Sequence, residues 1–169
     1  MKEKPSLRVA LINFRNFFRQ MVGLPKIYPV KIVRTEEAKK YQLIQISKAG
    51  DVGYNLPAIK SVTIPAPTQH QRAIYDYHMA RYRRYMEINN KEQAQIHYQQ
   101  ALAALPKAVI PTGIKLEMPN NLWCSIEARS SSSSKMLITP DAIIDAGYRG
   151  ELFAVVYNFG YEDYTVKEG

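Results

Sequence analysis

From residue 29 onward, the chain is a series of short apolar runs separated by polar breaks. The runs read PVKIV, QLIQI, IKSVTI, AVIPTGIKLEM, LWCSIE, KMLITP and ELFAVVYNF. Runs of this length, bounded by turn-forming residues, are typical of β-strands. Their regular succession predicts an all-β sandwich or barrel. The last run, residues 151–159, is apolar on both alternating faces, which predicts a strand buried on both sides.

One segment, residues 68–105, interrupts this series and contains no Gly or Pro. Its apolar side chains recur at helical spacing in two groups: Tyr75, Met79, Tyr82 and Met86, then Ala94, Tyr98, Ala101 and Leu105. We predict two helices, the first capped by Thr68 and the second by Asn90 ahead of Gln93. The two apolar stripes should pack together as a helical hairpin inserted between two strands.

The N-terminus carries another helical pattern. In SLRVALINFRNFFRQMVGLP, residues 6–25, apolar side chains share one face and arginines share another, which predicts a basic amphipathic helix. Arg15 interrupts the apolar run too early for a transmembrane span, and no small-residue cleavage site follows, so a secretory signal is not expected. The stripe favours docking on protein over lying on a membrane surface.

These patterns divide the chain into three parts. Residues 1–28 form an N-terminal helical extension, residues 29–67 and 106–169 form a β domain, and residues 68–105 form the inserted helical hairpin. The 169 residues, of which 46% are hydrophobic, suffice for one domain with a substantial core and an appendage.

Charge and residue usage narrow the function classes. A formal net charge of +8 favours an anionic partner, which can be a nucleotide, a nucleic acid or an acidic surface. Nucleic acid is not favoured, because the cluster Arg81, Arg83 and Arg84 is typical of a solvated helix face. A single cysteine, Cys124, excludes an intramolecular disulfide framework. The three histidines lack metal-ligand spacing, and no P-loop or GxGxxG motif is present.

Two polar segments near the C-terminus are ambiguous from their residues alone. In IIDAGYRGEL, residues 143–152, Asp145 stands beside an Ala-Gly step between apolar runs, which is first of all a turn signal. In EARSSSSSKMLI, residues 127–138, the serine run is ordinarily a flexible linker. Held between two predicted strands, however, small residues beside Arg129 also let backbone N–H groups and hydroxyls approach a phosphate.

Together these segments resemble the dUTP pyrophosphatases. ARSSSSSK and IIDAGYRGE are similar to the second and third motifs of that family, written around PRSG and IDxGYRGE. AGDVGYNLPA, residues 49–58, resembles the first motif, and VIPTGIKLEMP, residues 109–119, resembles the strand before the second motif. The resemblance spans residues 29–169 apart from the helical insertion. It implies a jelly-roll-like β domain that assembles as a homotrimer, with each active site built from three subunits.

The resemblance also assigns roles to individual residues. Asp145 matches the catalytic aspartate, which positions a water for attack on the α-phosphorus of dUTP. Tyr148 matches the tyrosine that packs on the deoxyribose and leaves no room for a 2′-hydroxyl. The remaining substrate-binding matches are the phosphate-binding Arg129, Ser130 and Ser131, together with Ile143 and Asn55. The implied cofactor is Mg²⁺, held mainly by the triphosphate and waters rather than by direct protein ligands.

The expected activity is therefore hydrolysis of dUTP to dUMP and diphosphate, in the cytoplasm, or in the host cytoplasm for a viral or phage-like member. Two positions depart from the family pattern: Asn55 replaces an aspartate and Ser131 replaces a glycine. The family continues with a fourth motif and a glycine-rich arm, whereas the sequence ends at YTVKEG. We expect either a longer gene product or an incomplete site.

Two other functions stay open from the sequence. The chain could be a catalytically incomplete binding or structural module on the same fold, for example in a viral assembly. Residues 68–105 or the N-terminal helix would then contact a protein partner. A related deaminase of cytosine nucleotides is a weaker third hypothesis, because GYRGE is more similar to the hydrolase form of the hairpin.

Overall fold

The computed structural model describes residues 28–41 and 55–169. Within these ranges it contains nine short strands: β1 (Lys31–Arg34), β2 (Val62–Ile64), β3 (Lys107–Pro111), β4 (Ile114–Glu117), β5 (Trp123–Ile126), β6 (Leu137–Ile138), β7 (Ala142–Asp145), β8 (Phe153–Asn158) and β9 (Tyr164–Val166). The predicted N-terminal helix and the predicted strand QLIQI lie outside the described residues. The other six predicted strand regions all contain observed strands.

All strand pairs are antiparallel, and they form four small sheets. The sheets pair β1 with β4, β2 with β9, and β5 with β7, and they place β8 between β3 and β6. A central strand lacks solvent-exposed edges, which explains why β8 is the most apolar run. The prediction of burial on both faces holds for Val156 and Tyr157 but fails for Phe153, which is 41% exposed at the start of the strand.

The apolar core consists of two clusters. The first core cluster has five buried members: Ala58, Ile64, Ile110, Leu137 and Val156. The second core cluster has three: Ile114, Ile126 and Leu152, with Ala142 and Ile144 of β7 packed against it. The alternating inward residues of β5 and β7 therefore cover the second core cluster, and the residues between them face outward.

A buried asparagine joins three segments of the first core region. Asn158, at the end of β8, is 1% exposed. Its side-chain amide donates to the carbonyl oxygens of Ile64 at 3.0 Å and Glu162 at 2.9 Å, and its oxygen accepts from the backbone N–H of Gly160 at 2.8 Å. Every hydrogen-bonding direction needed to bury this polar side chain is thus used.

Two helices lie between β2 and β3: α1 (Gln69–Glu87) and α2 (Lys91–Ala104). The predicted caps are confirmed. Thr68 and Gln71 form a reciprocal capping box, in which each side chain accepts the other residue's backbone N–H. Asn90 Oδ1 accepts the backbone N–H of Gln93 at 3.2 Å. The first turn of each helix therefore has a side-chain acceptor, as its sequence predicts.

The apolar stripes of α1 and α2 face each other for most of their length. Ala94 and Ala101 are buried, and the rings of Tyr82 and Tyr98 lie 5.5 Å apart. Small alanines on α2 allow the aromatic rings of α1 to approach closely. Met86, at the far end of the predicted stripe, is 45% exposed, because α1 ends one residue later and α2 offers no further turn to cover it.

A histidine pair also joins these two helices. His78 Nδ1 and His97 Nδ1 are 3.0 Å apart, and the ring of Tyr85 stacks on His97. Burial lowers the pKa of His97, and the nearby charges of His78 and Arg81 lower the pKa further. The neutral form of this imidazole is therefore favoured, so one ring can donate a hydrogen bond to the other.

The base of the helical hairpin is attached to the turn between β8 and β9. The Arg72 guanidinium donates to the carbonyl oxygens of Phe159 and Gly160 and lies 4.2 Å above the ring of Tyr161. Tyr75, one turn further along α1, packs edge-on against Phe159. The hairpin is thus positioned by specific contacts at its first two turns. No helix in the described ranges is long and apolar enough to cross a membrane.

Candidate active site

Asp145 is the last residue of β7 and begins a tight turn. It lies opposite Trp123 in the antiparallel pairing of β5 with β7, and its carbonyl oxygen accepts the backbone N–H of Tyr148 at 3.0 Å. Its side chain is exposed, and no described residue donates a hydrogen bond to the carboxylate. The backbone of Asp145 is therefore held on both sides while its carboxylate is open to solvent.

An open cleft of about 530 Å³ lies beside this carboxylate. It is lined by Asn120, Asn121, Leu122, Trp123, Asp145, Ala146 and Gly147. Asp145 is the only charged residue among them, and the two asparagines add neutral amide groups. The cleft thus combines one carboxylate, several hydrogen-bonding groups and the large apolar surface of an indole ring, a composition suited to a small polar ligand.

The outward face of the β5–β7 pair extends the cleft. Ile143, two residues before Asp145, points to the same side and is 69% exposed, and Trp123 is 65% exposed. On the opposite face, Cys124 is half-buried. Burial raises the pKa of the Cys124 thiol, which disfavours the thiolate. Cys124 is therefore a half-buried side chain on the face opposite the Asp145 carboxylate, and its thiol form is favoured.

Tyr148 is positioned by the turn that follows Asp145. Its hydroxyl donates to the carbonyl oxygen of Glu151 at 2.9 Å, while the side chain remains 41% exposed. The Glu151 carboxylate in turn accepts the backbone N–H of Gly113 at 2.8 Å. Tyr148 thus presents an exposed ring whose polar end is held by a backbone acceptor.

Cationic groups border the turn. The Arg149 side chain donates to the carbonyl oxygens of Ala146 and Tyr148, so it closes the turn from one side. The pKa of Glu117 is lowered first by the hydrogen bond and charge of Lys31 and also by the charge of Arg149. Arg149 therefore adds positive potential around the turn that carries Asp145.

The serine run forms a short helix, α3 (Ser130–Ser133), rather than an extended linker. The carbonyl oxygen of Arg129 accepts the backbone N–H groups of Ser132 at 2.8 Å and Ser133 at 3.3 Å. Arg129 and Ser131 are both exposed. The segment is accordingly a compact, polar, solvent-facing turn beside one arginine.

The structure separates Arg129 from Asp145 within one chain. Because β5 and β7 are antiparallel, Ile126 pairs with Ala142 at one end and Trp123 pairs with Asp145 at the other. At about 3.4 Å per residue, these two ends are roughly 10 Å apart, and Arg129 lies further along the chain beyond Ile126. The predicted site residues therefore fall into two groups, one around Asp145 and one around Arg129.

Asn55 lies at the start of the second described range and is half-buried. Its neighbour Leu56 packs against the second core cluster, which also supports β7. The end of the first motif is thus attached to the same core that positions Asp145. No described contact joins the Asn55 side chain to another predicted site residue.

Several residues of the cleft were not predicted from the sequence. Asn120, Asn121 and Trp123 join the site only because β5 pairs with β7, and that long-range register has no local signal. The Asn-Asn step before a predicted strand was the available hint, since it is a turn signal. Within the described residues, no group of three or more histidine, cysteine, aspartate or glutamate side chains could hold a metal ion.

The segment that contains this site is similar to proteins of known family. Residues 95–169 match the family model described as dUTPase. The chain is 33% identical over 76 residues to the deoxyuridine 5'-triphosphate nucleotidohydrolase of Chlamydia caviae, an alignment covering 42% of this chain and 52% of that relative. It is 39% identical over 67 residues to the protein of the same name from Paramecium bursaria Chlorella virus 1, covering 39% and 48%. The chain spans about half the length of these curated relatives.

Solved structures extend the likeness in the fold. A dUTPase from phage phi11 of S. aureus, described with a species-specific insert, matches with a TM-score of 0.55 and 18% identity, covering 83% of each chain. A mutant of the phi11 dUTPase, described with a structural Mg(II) ion, matches with a TM-score of 0.54 and 18% identity, covering 83% of this chain and 84% of that one. The predicted all-β, dUTPase-like fold is confirmed.

Proposed function

We propose that this chain, which matches the dUTPase family model over residues 95–169, belongs to that family and hydrolyses dUTP to dUMP and diphosphate. The observation that carries the proposal is the position of Asp145, an exposed carboxylate at a strand end beside an open cleft and within the segment that matches the family. The names of the relatives support hydrolysis over a purely structural or binding role.

In the proposed reaction, Asp145 acts as a general base. A water oxygen forms a bond to the α-phosphorus, a proton of that water passes to the carboxylate, and the bond from the α-phosphorus to the bridging oxygen breaks as diphosphate leaves. A carboxylate held at a rigid strand end suits this role, because general-base catalysis depends on placing the acceptor within hydrogen-bond reach of the water. The backbone contacts to Trp123 and Tyr148 support such fixed placement.

We assign substrate binding to residues around the turn that follows Asp145, around the short helix α3, and at the end of the first motif. The ring of Tyr148 packs on the deoxyribose, and Ile143 supplies apolar surface on the same strand face as Asp145. Arg129, Ser130 and Ser131 bind the triphosphate, since a guanidinium and small residues suit phosphate oxygens. Asn55 completes the substrate-binding set from the end of the first motif.

The separation of Arg129 from Asp145 supports assembly as a homotrimer. If each active site combines Asp145 of one subunit with Arg129 of another, neither group needs to reach the other within one chain. Exposed apolar side chains on the outer face of β3 and β8, Val109 at 53% and Phe153 at 41%, offer surface for such contacts. Mass photometry at micromolar concentration should show trimers, and a purely monomeric protein would contradict this arrangement.

We further propose that Mg²⁺ enters with the nucleotide. The lack of a multi-carboxylate cluster among the described residues fits an ion held mainly by triphosphate oxygens and waters. When bound there, the ion would neutralise charge on the triphosphate. The phi11 phage dUTPase mutant is described with a structural Mg(II) ion, so a protein of this fold can hold the metal.

The proposed reaction is tested by diphosphate release. We expect Mg²⁺-dependent release from dUTP in preference to UTP, and Asp145→Asn should lower turnover by at least about a hundredfold, since general-base catalysis typically contributes that much. Asp141→Asn is the matched control, because Asp141 is an exposed carboxylate just before β7 and outside the cleft. Full turnover by Asp145→Asn would exclude it as the base.

We assign the helical hairpin, residues 68–105, to interaction with a protein partner. Arg81, Arg83 and Arg84 are exposed and form no ion pair among the described residues, and Ile88 at the tip is 64% exposed. Replacing residues 68–105 with a short Gly-Ser loop should leave the β domain folded and able to bind a non-hydrolysable dUTP analogue. Lost nucleotide binding with an intact β domain would instead make the hairpin part of the site.

A further inference from the structure

Gly150 lies against the hydroxyl end of the Tyr148 ring. A Cβ atom built on Gly150 would lie 2.6 Å from Tyr148 Cζ and 3.1 Å from Cε2, and it would also collide with the hydroxyl oxygen. The backbone itself would accept a side chain, because the φ angle of Gly150 lies outside the left-handed region. Glycine at this position is therefore required to make room for the Tyr148 side chain, and not by the backbone conformation.

The acceptor for the Tyr148 hydroxyl is itself immobilised. The carbonyl oxygen of Glu151 receives that hydrogen bond, and the Glu151 carboxylate accepts the backbone N–H of Gly113. The next residue, Leu152, donates its N–H to the carbonyl oxygen of Ile114 at 2.8 Å, and the carbonyl oxygen of Leu152 accepts a hydrogen bond from the Thr112 hydroxyl at 2.7 Å. The polar end of an exposed ring is thus attached to the buried turn between β3 and β4.

We propose that Gly150 and the Glu151 carbonyl form a seat that fixes the Tyr148 ring, and that Gly150 is a positioning residue for selection of deoxyribose over ribose. The inference rests on the proposed function, in which the Tyr148 ring packs on the sugar. A ring that excludes a 2′-hydroxyl must stay within a fraction of an ångström of its position, because a hydroxyl is small. Contact with Gly150 on one side and the hydrogen bond at the ring end supply that restraint.

The seat predicts what Gly150→Ala does. The added methyl group cannot occupy the space of the ring, and the Tyr148 side chain is the part free to move, since it is 41% exposed. The ring should swing away and lose its hydrogen bond to Glu151. The protein should remain folded, because the displaced ring belongs to neither core cluster.

Two measurements on the full chain test the proposal. The first is a crystal structure of Gly150→Ala, in which we expect the Tyr148 ring to be displaced and its hydroxyl to have left the Glu151 carbonyl. The second is calorimetry with α,β-imido-dUTP and α,β-imido-UTP, in which the ratio of the two dissociation constants should fall at least about fivefold toward the ratio of Tyr148→Ala. A change in this ratio is specific, because a general loss of stability would weaken binding of both analogues.

Two controls sharpen the result. Gly150→Ala added to Tyr148→Ala should change the ratio no further, since the effect acts through the ring. Asp141→Asn, at an exposed position just before β7 and outside the cleft, should also preserve the ratio.

The outcomes separate the two hypotheses. The seat would be overturned if the Tyr148 ring did not move in Gly150→Ala. It would also be overturned if the wild type preferred the deoxy analogue and Gly150→Ala kept the same ratio of dissociation constants. Either result would leave the proposed function intact. Wild-type protein that binds neither analogue would overturn the proposed function, and the role in sugar selection with it.

Discussion

Truncating Glu151 should destabilise the turn that supports the site. Its carboxylate accepts the backbone N–H of Gly113, a buried residue whose φ of 64° only glycine adopts easily. A hydrogen bond to a charged group contributes about 1.5 to 3 kcal/mol, and Glu151 is half-buried, so we expect Glu151→Ala to cost about 2 kcal/mol of unfolding free energy. That is a large share of the roughly 5 to 15 kcal/mol typical of a domain.

Glu151→Gln is the matched control, because its amide oxygen can still accept the Gly113 N–H as a neutral hydrogen bond. A neutral bond contributes about 1 kcal/mol, so this variant should lose about half as much stability as Glu151→Ala. Urea unfolding followed by Trp123 fluorescence, at one fixed protein concentration, measures both values. Equal losses in the two variants, or a loss below about 0.5 kcal/mol in Glu151→Ala, would refute the role assigned to this hydrogen bond.

Three further perturbations test other parts of the fold. Asn158→Ala removes three hydrogen bonds of a buried side chain and should cost about 3 kcal/mol in the same urea assay, at about 1 kcal/mol each. Arg72→Ala should speed hydrogen exchange in α1, whereas Arg83→Ala, at an exposed position, should not. The pKa of His97 is lowered below its ordinary value of 6.5, so the folded hairpin favours the neutral imidazole. The stability that the neutral imidazole contributes is fully present above pH 6.5. It is lost as the pH falls through the lower pKa of the folded state. The thermal midpoint of the wild type should therefore fall more between about pH 7.5 and about pH 5.5 than that of His97→Gln, and equal falls would exclude protonation of His97 as the cause.

Local signals predicted the helices well because their determinants are close in sequence. Thr68 and Gln71 are three residues apart, as a capping box requires, and Asn90 stands in the same relation to Gln93. The predicted stripe failed at Met86 because its burial depended on how far α2 extends along α1. That length is a property of the pair of helices rather than of either sequence alone.

The sequence motifs predicted individual site residues, but they did not predict which other residues lie beside them in the fold. The third motif located Asp145 and Tyr148 in one turn, and the structure has both residues there. The cleft residues Trp123 and Asn121 were missed because β5–β7 register is set by contacts between strands that are distant in sequence. Likewise, the short helix at Ser130–Ser133 was not predicted, because serine favours turns and caps over helix interiors.

Isotope labelling of the products tests the central claim most directly. Hydrolysis of dUTP with Mg²⁺ in oxygen-18 water, analysed by mass spectrometry, reports which phosphorus atom the water attacks. Attack on the α-phosphorus, with Asp145 as the base, predicts one labelled oxygen in dUMP, unlabelled diphosphate, and loss of both products in Asp145→Asn but not in Asp141→Asn. Label in diphosphate, release of orthophosphate, or the same labelled dUMP formed at full rate by Asp145→Asn would contradict the proposed mechanism.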